Sequence, residues 1–279
     1  MSALSLGTLV TYNPWSIGPT ALLDEIAARF EDLRIHHVAV VDEDRHVLGM
    51  ISETDLIRAQ QAKRLSLVAS SGEEMGEAPV VFARDAMARD VLTVEVSGNF
   101  RDALGLLLQR QIHALPVVQN GCLVGMISSR DFLREFSYGE LPGAREPIST
   151  LLHARPLESL APDTSLDQAF LAMQEAGVSS LVVAQGDCPI GIVAQRDIVR
   201  EKCQSDDRGN LAAERRVSTP LLKVARNSPP IRSGQRLCEA AAAMIDHSLP
   251  AVTIVNQSNR LLGLITEDDL LSVLYDALA

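Results

Sequence analysis

Gly49-Met50-Ile51-Ser52-Glu53-Thr54-Asp55-Leu56-Ile57 occurs, with substitutions, four times in this chain. It returns as Gly125-Met126-Ile127-Ser128-Ser129-Arg130-Asp131-Phe132-Leu133 and as Gly191-Ile192-Val193-Ala194-Gln195-Arg196-Asp197-Ile198-Val199. The fourth copy is Gly263-Leu264-Ile265-Thr266-Glu267-Asp268-Asp269-Leu270-Leu271. Each reads glycine, two apolar residues, a variable trio, aspartate and an apolar pair. Copies stand roughly 70 residues apart, the period of a supersecondary unit rather than of a single element.

The surroundings of the string repeat with it. Upstream lie the apolar runs Val38-Ala39-Val40-Val41, Leu115-Pro116-Val117-Val118, Leu181-Val182-Val183-Ala184 and Pro250-Ala251-Val252-Thr253-Ile254-Val255. They are short and rich in β-branched residues, so they are predicted to be buried strands. Polar turns follow, with Asn120-Gly121 the clearest, and lead into a second strand that ends in the glycine string; each pair predicts a hairpin. Helix-period segments precede the hairpins at Ala21 to Leu33, Phe100 to Gln111, Ser165 to Ala176 and Gln235 to His247, and further helices begin after each string. A short extended segment, best seen at Thr93-Val94-Glu95-Val96, completes the unit. Ser70-Ser71-Gly72-Glu73-Glu74, Gly139-Glu140-Leu141-Pro142-Gly143-Ala144 and Asp206-Asp207-Arg208-Gly209-Asn210 break the pattern and are expected to be linkers. The second of these is the expected domain boundary, and an exposed one.

Composition fits this organisation. The chain has 279 residues, 47% hydrophobic but only 4% aromatic, enough for about two domains with aliphatic cores. Its net charge of -11 argues against a general nucleic-acid or anionic-membrane binder, which needs a basic surface. A small anionic ligand in a local pocket remains compatible with it. Cys122, Cys188, Cys203 and Cys238 form no Cys-x-x-Cys pair and stand beside no histidine at metal-ligand spacing, so free thiols in a reducing compartment are expected. No basic leader and no membrane-length apolar run is present, and a cytoplasmic protein is expected.

The four strings with their Leu-Pro-Val-Val-like strands resemble the cystathionine β-synthase (CBS) domain family over nearly the whole chain. The resemblance implies a mixed α/β (α+β) fold of four βαββα repeats, paired by pseudo-twofold symmetry into two Bateman modules. Residues 1–138 would form module one, with repeats at about 7–66 and 83–138. Residues 146–279 would form module two, with repeats at about 147–204 and 216–279. It further implies regulation rather than catalysis, with AMP, ADP, ATP or S-adenosylmethionine bound between paired repeats and Mg2+ accompanying ATP. A homodimer and a separate regulated protein would be the partners, with no nucleic acid and no membrane. No Ser-His-Asp order, phosphate loop, dinucleotide fingerprint or zinc signature supports an enzyme. A structural dimerisation protein with decayed sites is the other reading.

The expected site follows from ligand chemistry. A carboxylate accepts from two vicinal ribose hydroxyls, which makes Asp55, Asp131, Asp197 and Asp269 the candidates. Ser52, Ser128 and Thr266 stand three residues earlier at a helix start, where free N–H groups favour phosphate. The same Ser/Thr-x-x-Asp spacing also makes a capping box with no ligand, and both readings stay open. His36, His113 and His247 precede the first hairpin strand of repeats one, two and four, a place near the phosphates in related modules. Repeat three has Ser179 there and Ala194 in place of the hydroxyl, so it is expected to be the degenerate site.

Overall fold

The computed structural model describes residues 5–33, 35–69, 80–152, 159–207 and 219–279. The four predicted hairpins are present: β3 (His37–Val41) with β4 (Val47–Ser52), β6 (Ala114–Gln119) with β7 (Cys122–Ser128), β9 (Ser180–Gln185) with β10 (Cys188–Ala194), and β12 (Ala251–Val255) with β13 (Leu261–Thr266). Asn120 and Gly121 turn the second hairpin with φ of 54° and 83°, the left-handed pair that a tight two-residue turn requires. A two-residue strand joins each first hairpin strand in parallel: β2 (Ser16–Ile17), β5 (Val94–Glu95), β8 (Ser159–Leu160) and β11 (Ile231–Arg232). A helix makes each parallel connection, namely α1 (Leu23–Leu33), α4 (Phe100–Arg110), α6 (Leu166–Ala176) and α8 (Leu237–Asp246). Glycine strings lead into α2 (Glu53–Ala69), α5 (Ser129–Ser137), α7 (Gln195–Asp207) and α9 (Glu267–Ala277), and a single-turn α3 (Ala83–Ala86) opens repeat two.

Both faces of the hairpins are covered, which is why their strands read as unbroken apolar runs. Val38 and Val40 point to the helix side and meet Leu23, Ile26, Phe30 and Leu56. Ala39 and Val41, one residue out of phase, meet Leu123 of repeat two. The hairpin tips of repeats one and two are also joined: Arg45 Nε donates to the Leu123 carbonyl (3.1 Å) and Leu123 N to the Arg45 carbonyl (2.8 Å). Repeats three and four repeat the device, with Leu261 N donating to the Asp187 carbonyl (2.8 Å) and Arg260 paired with Asp187 (3.1 Å).

The recurring glycine has a structural cause. The segment leading into each repeat lies along the second hairpin strand of the neighbouring repeat. β1 (Thr11–Tyr12) pairs with β7, Ala88 bridges Met50, and Arg226 bridges Ile192. A Cβ at Gly49 would stand 2.5 Å from Met87 Sδ, at Gly191 2.5 Å from the Arg226 carbonyl oxygen, and at Gly263 2.7 Å from Leu152; one at Gly125 would overlap Val10. Glycine is needed where another backbone approaches this closely. The same leads bond to the helix starts across the pair: Leu23 N to Val81 O (3.0 Å), Leu221 N to Thr164 O (2.8 Å) and Leu237 N to Glu146 O (2.9 Å). Exchange runs between repeats one and two and between repeats three and four.

The described chain divides into two compact units, Met1–Ser128 and Ser129–Ala279. The division falls upstream of Gly139–Ala144, and α5 of repeat two is counted with the second unit, where it packs on α8 and α9. Phe132, Leu133 and Phe136 are fully buried there. The expected exposed linker is only partly exposed: Glu140 and Arg145 face solvent, but Gly139, Leu141 and Ala144 are buried, Arg145 Nε donates to the Gly139 carbonyl (2.7 Å), and Cys238 N donates to the Ala144 carbonyl (2.8 Å). The Ser70–Glu74 linker lies outside the described residues, while Asp206 and Asp207 continue α7. No helix among the described residues is long and apolar enough to cross a membrane.

Candidate functional site

Each site aspartate stands in the first turn of the helix that follows the glycine string. In repeat one, Asp55 Oδ2 accepts from Ser52 N (2.9 Å) and Ser52 Oγ (2.6 Å), while Asp55 N donates back to Ser52 Oγ (3.2 Å). Repeat four is the same: Asp269 Oδ2 accepts from Thr266 N (2.9 Å) and Thr266 Oγ1 (2.7 Å). These are capping boxes, and they use one carboxylate oxygen only. Among the described residues Asp55 Oδ1 and Asp269 Oδ1 make no hydrogen bond. Asp131 is half-buried on α5, its Oδ1 accepting from Arg134 Nη1 (3.1 Å). Its neighbour Arg130 reaches the Met244 and Leu249 carbonyls (3.1 and 3.3 Å), closing the C-terminal end of α8.

Repeat three differs. Asp197 is buried, accepts from Ala194 N (3.3 Å) through Oδ2, and through Oδ1 holds the guanidinium of Arg226. That arginine comes from the lead of repeat four, so both carboxylate oxygens are taken.

The histidines are not equivalent in the way the sequence suggested. Hairpin register pairs His37 with Ser52, Ala114 with Ser128, Ser180 with Ala194 and Ala251 with Thr266. The residues preceding the strands are therefore His36, His113, Ser179 and Pro250. Backbone bonds agree, with Glu53 N, Gln195 N and Glu267 N donating to the carbonyls of His36, Ser179 and Pro250 (2.9, 2.9 and 3.0 Å). His247 is instead the exposed C-cap of α8, turned away before the strand by the left-handed Ser248 (φ 54°). Repeat four thus lacks the histidine as repeat three does, and the loss does not single out repeat three. The common offset from Leu23, Phe100, Leu166 and Leu237 at the helix starts was the sequence signal for this alignment.

In the first unit the polar groups converge. His36 Nδ1 lies 3.0 Å from Glu53 Oε2. In the sequence His37 stands out only as half of a His36-His37 pair with no carboxylate or cysteine at metal-ligand spacing; the other repeats have Ala114, Ser180 and Ala251 at its place. Burial of its ring, with the nearby charges of His113 and His36, lowers its pKa to about 4, against the opposing pull of Asp55 and Glu53. His113 of repeat two therefore stands within electrostatic reach of His37 of repeat one. No cluster of three metal-ligating side chains exists among the described residues. Cys122, Cys188 and Cys238 are free thiols.

With four hairpins, exchanged leads and an aspartate in the first turn of each following helix, the chain can be set against known proteins. The CBS domain family matches residues 6–62, 83–138, 148–203 and 222–276, and this chain belongs to that family. A protein of Methanopyrus kandleri, MK0525, is 31% identical over 139 residues, 50% of this chain and 65% of its own length. The CBS domain-containing protein YhcV of Bacillus subtilis is 29% identical over 46% of this chain and 89% of its own. The chain spans less than two thirds of the length of the first curated relatives it matches. The crystal structure of MJ1225 from Methanocaldococcus jannaschii, described as a candidate archaeal homologue of g-AMPK, superposes with a TM-score of 0.72 at 18% identity. That superposition covers 95% of this chain and 98% of the other, and shows that the four-repeat fold is shared.

Proposed function

We propose that this protein is a regulatory sensor, not an enzyme, that binds an adenine nucleotide (AMP, ADP or ATP, with S-adenosylmethionine as the other candidate) between paired CBS repeats and acts on a separate protein. Repeats one and two form one module, residues 1–138, and repeats three and four the other, residues 146–279; exchange of their leading segments supports that pairing. One observation carries the ligand reading: Asp55 and Asp269 each complete a helix cap with one oxygen and keep the other outside it. The oxygen left outside each cap is an acceptor that a pair of vicinal hydroxyls could engage without breaking the cap. Ser52 and Thr266 lie beside the helix starts where phosphate is favoured, and His36 and His113 add donors in the first unit. Mg2+ would accompany ATP, held by its phosphates.

The test is thermal unfolding of wild type, Asp55→Asn and Asp269→Asn with and without AMP, ATP and S-adenosylmethionine. Without ligand each variant should lose about 1 kcal/mol or less, the usual worth of a cap. Ligand at a hundred times its dissociation constant should add about 2.7 kcal/mol to the wild type at one site, and clearly less to the variants. Equal ligand shifts in wild type and variants would remove the ribose assignment. No shift in any of them would favour a structural dimerisation protein whose aspartates only cap.

A further inference from the structure

Among the described residues, Asp197 is the site aspartate held by an arginine from the lead of another repeat. Arg226 belongs to the lead of repeat four, which crosses to lie against Ile192 of repeat three. Its Nη2 bonds Asp197 Oδ1 and its Nη1 reaches the Ser248 carbonyl of repeat four (3.3 Å), so one side chain ties the two repeats of the second unit together. Asp197 retains 7% side-chain exposure and Arg226 29%. Strand register identifies the counterparts: Ala88 bridges Met50 in repeat one and Thr11 pairs with Met126 in repeat two, as Arg226 bridges Ile192. Neither of these two counterparts carries charge, and the lead of repeat three beyond Leu152 lies outside the described residues.

We propose that Arg226 is a built-in occupant of the repeat-three cleft, which closes Asp197 to ligand and leaves Asp269 as the nucleoside-binding aspartate of the pair formed by repeats three and four. This rests on the ribose reading above and deepens it by naming the residue that sets how many sites the chain has. The physical reason is the charge balance. Ribose hydroxyls are neutral, and to reach Asp197 they would have to displace a guanidinium from a buried carboxylate, leaving both charges poorly compensated. The bidentate reach of arginine, to a carboxylate and a carbonyl at once, makes it hard to replace by a hydroxyl pair. It also supplies an independent basis for the degeneracy of repeat three, now that the histidine comparison no longer does.

Equilibrium dialysis of radiolabelled AMP against the full chain, counting molecules bound at saturation, tests this with two opposite substitutions. Arg226→Met keeps the apolar stem and removes the fork; it should bind one AMP more per chain than the wild type. Ala88→Arg places the same fork at the matching position of repeat one, where Ala88 is exposed and an arginine disturbs no core. It should bind one AMP fewer, and it keeps the inference testable if Arg226→Met fails to fold. An unchanged count in both variants, with the wild type binding, overturns the proposal alone. A lower count in Arg226→Met overturns it too, because Arg226 would then be holding ligand. No binding by any of the three proteins would sink the nucleotide reading itself, and the proposal with it.

Discussion

At the residue scale, His37 is a histidine whose surroundings hold its pKa well below the ordinary value. Its folded pKa of about 4 lies below the ordinary 6.5, so between those values the unfolded chain takes up a proton that the folded chain refuses. Its contribution is therefore intact above about pH 6.5 and is lost as the pH falls towards 4, by as much as about 3 kcal/mol if the whole shift is realised. His36, His113, Glu53 and Asp55 face it and modulate the window. His37→Gln should flatten this part of the pH–stability curve, measured by urea unfolding at intervals from pH 7.5 to 4.5. Curves that run parallel for wild type and variant would show that His37 does not titrate as described. No motif marked this residue; desolvation of its ring beside His113 and His36 makes it matter.

Among elements, the leads explain the glycines. A lead that lies flat on a hairpin edge leaves no room for a Cβ, and the closest backbone approach is at Gly191, where Arg226 O would be 2.5 Å away. Carbonyl oxygen in a bonded strand cannot swing aside as a side-chain tip can. Gly191→Ala should cost about 1–3 kcal/mol, as overpacking typically does. Gly18→Ala, where a Cβ meets nothing within 4 Å, should be close to neutral. Chemical denaturation of both compares them directly, and equal stabilities would mean that the lead shifts freely. The string was visible in the sequence four times over, but its glycine reads there as a strand end. Its partner is contributed by a segment that is remote in sequence, such as Arg226 for Gly191 and Val10 for Gly125, which periodicity cannot reveal.

On the scale of the whole molecule, the Pro/Gly segment at 139–145 is a docked connection. The peptide bond after Arg145 lies between two carbonyls, Ala144 and Glu146, that accept from Cys238 N and Leu237 N at the start of α8 (2.8 and 2.9 Å). A protease must pull at least that turn out of register to bind it. Trypsin acting on the native chain should therefore cut after Arg145 slowly, and much faster once urea unfolds the protein. Rapid native cleavage at Arg145, followed by mass spectrometry, would refute the docking. Composition alone suggested an exposed hinge here, because proline and glycine mark turns equally well whether or not a helix start covers them.

The repeats, the hairpins, the helices between them and the family were all legible in the sequence, because local apolar period and turn chemistry recur in register four times. Asp55, Asp131, Asp197 and Asp269 were legible for the same reason: a helix start writes its cap within four consecutive residues. What the tertiary structure decided is which groups meet. The exchange of leads, the Arg226 side chain on Asp197, the alignment of Pro250 rather than His247 with His36, and the electrostatic reach between His37 and His113 all join residues remote in sequence or offset by a loop. Such contacts depend on how strands from different repeats are laid together, and the energy that selects them comes from packing across the pair, which no single repeat contains.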